Sequence, residues 1–134
     1  MNLYETKEDL MQQAKRYYAN AEEMFREIPV EYNISYSDPK LVSKAAGIAY
    51  LAAFLAIDAY LVGKGIPKEK LPDSIEAYRL MIKKNIPHNG KLMTSLNNVY
   101  QYLHLGAYYR RQTGVKAIKS SRQEVKRIID MLAK

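Results

Sequence analysis

A chain of 134 residues with 48% hydrophobic and 26% charged residues has the proportions of one soluble globular domain, here spanning 1–134, long enough to bury a core without staples. It contains no cysteine, which excludes disulfides, thiolate zinc sites and cysteine nucleophiles. The formal net charge is +7, and the whole excess lies in residues 68–134, because no acid occurs between Glu76 and Glu124. That interval holds Arg79, Lys83, Lys84, Lys91, Arg110, Arg111, Lys116, Lys119 and Arg122, an asymmetry that predicts an anionic partner. The opening MNLYETKEDL has no basic stretch followed by an apolar run, so no secretory signal is read and the expected compartment is the cytoplasm.

The first predicted helix starts at Thr6, which can cap, with Glu8 and Asp9 favouring the first turn. Leu10, Ala14, Tyr17 or Tyr18, Ala21, Met24 or Phe25, and Ile28 then recur at three- and four-residue steps until Pro29 stops the helix. Residues 30–37 read as a connection, with no strand of sufficient length anywhere in the chain. Asp38 as cap and Pro39 at the first helical position begin a second helix.

This second helix, about 39–63, is apolar all round: from Ala45 to Val62 its only charge is Asp58. Such a helix is either the centre of a bundle or a membrane span. Its hydrophobicity is diluted by alanine, Asp58 opposes burial in lipid, and the amphipathic helices elsewhere need a partner to cover. A buried bundle helix is therefore expected, with no membrane. A third helix is predicted from an Asp73-Ser74-Ile75-Glu76 capping pattern to about Lys84, burying Ile75, Tyr78 or the stem of Arg79, and Ile82. A fourth spans roughly 91–112 with Leu92, Leu96, Val99, Leu103 and Gly106/Ala107 as its seam. The last begins at Val115, or at Ser121 if the Ser121–Glu124 capping box is used. The pattern is all-α, an up-and-down bundle of four to five helices around the apolar one.

His104 is the best-furnished position for chemistry. Asn97, Tyr100, Gln101, His104, Tyr108 and Arg111 fall on one face of the fourth helix. An imidazole among phenols and a guanidinium suits phosphate binding or general-base work, and equally a helix face with half-buried tyrosines. His88 lies in a turn between Pro87 and Asn89-Gly90. The two histidines have no acid nearby to complete a metal site, so neither metal nor cofactor is expected. Asp58 needs a hydrogen-bond partner, which tyrosine hydroxyls or an arginine from a neighbouring helix would supply. Tyrosine is abundant, 12 residues with no tryptophan. Tyr100, Tyr102, Tyr108 and Tyr109 adjoin Arg110 and Arg111, a mixture that suits stacking on bases or a protein interface. Tyr100, His104, Tyr108, Arg110, Arg111, Lys116 and Lys119 are accordingly the candidate anion-binding residues.

Residues 14–25, AKRYYANAEEMF, followed after a loop by 44–65, KAAGIAYLAAFLAIDAYLVGKG, resemble the first two helices of the HEPN superfamily, small helical bundles often encoded beside nucleotidyltransferases. The resemblance is carried by the AY-x-AA-x-x-A-x-x-A pattern of Ala49–Ala59. It implies a homodimer and, in many members, a metal-independent ribonuclease built on Arg, four to six residues, then His. The positions that would pair an arginine with His104 hold Asn97, Asn98 and Val99. For His88 the four-residue spacing falls on Lys83, with Pro87 interrupting the helix. Lysine lacks the planar fork that holds a phosphate bidentately. The resemblance therefore implies a binding protein whose partner is RNA, a nucleotide or an acidic protein surface. The alternatives are a ribonuclease using His104 or His88 with Lys83, Arg110 or Arg111, and a pure interaction module.

Overall fold

The computed structural model describes residues 6–134. Five helices pack together: α1 (Lys7–Glu27), α2 (Pro39–Gly63), α3 (Ile75–Asn85), α4 (Gly90–Val99) and α5 (Val115–Leu132). Thr6 and Asp9 form a reciprocal capping box on α1. The Asp38 carboxylate accepts from the Lys40 and Leu41 amides at the start of α2. At α3 the cap is Ser74, whose hydroxyl accepts from the Ala77 amide, and not Asp73.

The alanines of α2 do the organising. Ala45, Ala46, Ala49, Ala52, Ala53, Ala56 and Ala59 are all buried, so α1, α5 and the continuation of α4 approach the helix closely on several sides. The helix is long and apolar enough to cross a membrane by length and composition, yet most of its alanine surface is covered by these neighbours. Lys7 at the start of α1 lies across Gly63 at the end of α2, where a Cβ would meet the lysine stem at 2.7 Å; the two helices therefore run antiparallel. Contacts between Ser95 and Glu124 and between Glu22 and Arg122 set α5 against α4 and α1 in the same up-and-down manner. Residues at the start of α1 and the end of α5, among them Lys7, Glu8, Ala133 and Lys134, share one cleft.

Two local expectations are corrected, and the alternative left open for the last helix is decided. The connection after α1 contains strands β1 (Val30–Glu31) and β2 (Ser35–Tyr36), an antiparallel ribbon turned at Tyr32 and Asn33, both with positive φ. This ribbon is stitched to the loop before α5, since Tyr36 N–H donates to Thr113 O and Val115 N–H to Ile34 O, each at 2.9 Å. The fourth helix does not stay α-helical to Gln112: after Val99 it widens into a π-helix, Tyr100–Tyr109, with bonds such as Arg110 N–H to Leu105 O. The last helix starts at Val115, with Ser121 buried in its middle and its hydroxyl without a hydrogen-bond partner among the described residues. There the capping box is overridden because Ile118 already packs in the core.

Candidate functional site: an aromatic stack on the π-helix

The π-helix carries Tyr100, His104 and Tyr108, which stack in succession. The His104 ring lies 5.3 Å from Tyr100 and 5.7 Å from Tyr108, with interplanar angles of 27° and 14°. Tyr50 of α2 completes the set, nearly parallel to His104 at 4.5 Å. Behind it the rings continue inward: Tyr50 meets Phe54 edge-on at 4.5 Å, and Phe54 stacks on Tyr78 at 4.1 Å. The Tyr78 hydroxyl donates to Asp58 Oδ1 at 2.9 Å, the partner that a half-buried carboxylate in an apolar helix requires. Burial raises the Asp58 carboxyl to about 6 against the pull of that hydrogen bond. Burial also lowers the His104 imidazole and raises the Tyr50 phenol, which favours the neutral form of each.

Two clefts flank the Tyr50–His104 pair. One, of about 350 Å³, is lined by Gly47, Ile48 and Leu51 of α2 together with the rings of Tyr50, His104 and Tyr108, and its one cation is Lys44. Gly47 lets the Tyr108 ring approach α2 closely: a Cβ there would sit 3.0 Å from that ring. The end of the π-helix is pinned to α2 by the Ser43 hydroxyl, which donates to Tyr108 O at 2.8 Å. The other cleft, of about 390 Å³, reaches Asp73, Ser74 and Tyr78.

The candidate residues divide into three groups. Tyr100, His104 and Tyr108 come together as expected from the helical spacing. Arg110, Arg111, Lys116 and Lys119 are exposed and form no ion pair among the described residues; they lie just beyond the stack, around the turn between the π-helix and α5. Arg111 leaves the predicted shared face because the helix has ended and its own φ is +55°. His88 is exposed in its turn with φ +53° and takes no part in the stack, and Lys83 lies exposed on α3. Asn97 is engaged by Arg79, whose Nε donates to Asn97 Oδ1 at 3.0 Å while the guanidinium sits 5.5 Å above Tyr100.

Two cations of the acid-free interval are consumed internally: Arg79 pairs with Glu76, and Arg122 pairs with Glu22 while donating to the Tyr36 hydroxyl at 3.0 Å. Tyr50 and Lys44 were not foreseen as site residues, since Tyr50 reads in sequence as a gap-filler among alanines. Among the described residues no three metal-ligating side chains come together.

The family model described as "Domain of unknown function (DUF5618)" matches residues 9–134. A solved structure, a protein of unknown function from Dyadobacter fermentans, is 26% identical, superposes with a TM-score of 0.81, and aligns over 96% of this chain and 97% of that one. No curated protein matches.

Proposed function

The chain belongs to the DUF5618 family, and from that premise we propose a non-enzymatic, HEPN-like binding domain that presents its basic C-terminal half to single-stranded RNA and works as a homodimer. One juxtaposition supports the reading: Arg110, Arg111, Lys116 and Lys119, which form no ion pair among the described residues, follow directly on a helix whose aromatic rings are already stacked. Cations for phosphates beside rings for bases are what a single strand needs, and such a surface discriminates little between sequences. The alanine pattern of Ala49–Ala59 supports the HEPN likeness. The non-enzymatic reading rests on the surroundings of His104, whose ring neighbours among the described residues are three tyrosines.

Retention of a labelled oligoribonucleotide at increasing salt tests the proposal. Affinity should fall with a log–log slope of about −0.7 for each phosphate neutralised. Reversing Arg110 and Arg111 to glutamate should abolish retention with the helical circular-dichroism signal intact. No retention by the parent even at low salt would leave a pure protein-interaction module. Cleavage of the oligomer that disappears in His104→Ala would make the domain a ribonuclease.

A further inference from the structure

We propose that the cleft between Gly47 and the Tyr50–His104–Tyr108 rings is a slot for one unstacked base of the bound strand, a deepening that rests on the RNA-binding reading. The rings present parallel faces, and every base has a π-face to set against them. Apart from His104 and Lys44 the lining is wholly apolar or phenolic, which suits a planar heterocycle and excludes a hydrated ion.

The charge around the slot chooses an anionic occupant. Lys44 lines it, no acid does, and Arg110 and Arg111 leave the helix immediately after Tyr108 and Tyr109. In the larger groove between α4 and α5, about 920 Å³, Glu124 and Asp130 stand among the cations Lys91, Arg127 and Lys134, so its lining is mixed in charge. The cleft on the other side of the ring pair contains Asp73, which repels a phosphate. The wall is anchored at its base: the Ser43 hydroxyl holds the Tyr108 carbonyl, and the missing side chain at Gly47 lets the Tyr108 ring lie close against α2. Tyr108 remains 46% exposed, so this wall of the slot is in contact with solvent. A base entering here would place its phosphate toward Lys44 and the two arginines.

The experiment uses two oligoribonucleotides of equal length, one of uridines and one abasic at every position, and compares their affinities for the parent and for Tyr108→Ala. The uridine oligomer should bind the parent about ten- to a hundred-fold more tightly than the abasic one, the range of one base–aromatic stack. Tyr108→Ala should remove that preference and leave abasic binding unchanged. The chain has only two histidines, so the imidazole protons give an independent reading. On addition of uridine monophosphate, those of His104 should shift while those of His88, exposed in its turn, stay in place. Equal, salt-sensitive binding of both oligomers with no His104 shift overturns the slot and leaves the electrostatic RNA reading standing. Binding of neither overturns both. A Leu51→Arg variant that turns a dimer into monomers would show the slot to be covered by a second copy, and this too overturns the proposal.

Discussion

Asp58 is a carboxylate that accepts a hydrogen bond from Tyr78, in a helix that is otherwise uncharged from Ala45 to Val62. Its folded-state pKa, about 6, lies above the ordinary value of 3.8, so the folded chain holds this proton more tightly than the unfolded one. Stability contributed by the protonated form is therefore present at low pH and is lost as pH rises from about 4 through 6. Asp58→Asn keeps an acceptor for the Tyr78 hydroxyl and removes the titration. The difference between variant and parent should shift in the variant's favour between pH 4 and pH 7, by at most about 3 kcal/mol. Thermal melts of both proteins across that range check it, and a difference independent of pH would sink it.

The need of Asp58 for a partner was legible in the sequence, because a buried carboxylate has few alternatives. The internal use of Arg122 was not. A stretch without acids says nothing about acids elsewhere in the chain, and Glu22 reaches Arg122 across 100 positions. Tyr50 escaped for the same reason: its ring neighbours His104 and Tyr100 come from a distant helix, and helical spacing reports only one helix at a time.

At the scale of elements, α1, α2 and α3 follow from caps and apolar periodicity, and their bounds agree with the sequence reading to within a residue or two. What periodicity could not supply was the outward face of α2. A helix apolar on all sides has no polar stripe to mark it, and only packing reveals that Leu51 is 50% exposed and Leu55 half-buried while Ile57 and Leu61 are fully buried. Substitutions should separate these faces sharply. Ile57→Asp places an unpaired charge in the core, costs several kcal/mol against a typical stability of about 5–15 kcal/mol, and should unfold the domain. Leu51→Asp should leave the melt nearly unchanged. Circular dichroism reads both, and equal behaviour of the two would contradict this packing.

The π-helix was equally invisible. Its residues fit an α-helical seam, and Leu103, Gly106 and Ala107 are buried just as that seam requires. The wider turn closes on a local contact at its end: Gln112 folds back so that its Oε1 would lie 2.8 Å from a Cβ on Gly106, and its backbone N–H donates to Gly106 O at 3.0 Å. π-Helical turns are rare and concentrate at functional sites. Here the segment carries three of the four rings in the candidate site.

For the molecule as a whole, the homodimer proposed above should appear in light scattering at micromolar concentration as twice the 15.4 kDa chain mass. A mass of one chain at every concentration would remove it. The all-α bundle around α2 was legible because one helix alone lacked a polar face. The ribbon stitched across to the last loop was not, since its strands are two residues each and draw their partners from both ends of the sequence.

The cleft shared by the start of α1 and the end of α5 brings Lys7 and Lys134 to the same end of the bundle. A linker from the end of α5 to the start of α1 would join the described helices into a ring, which could then be opened elsewhere, for instance in the exposed turn around Gly65 after α2. The order in which the five helices are strung is therefore incidental to the architecture. What the architecture requires is that each helix meet the alanine faces of α2 or the partners packed on them, and a circular permutant would keep all of those meetings.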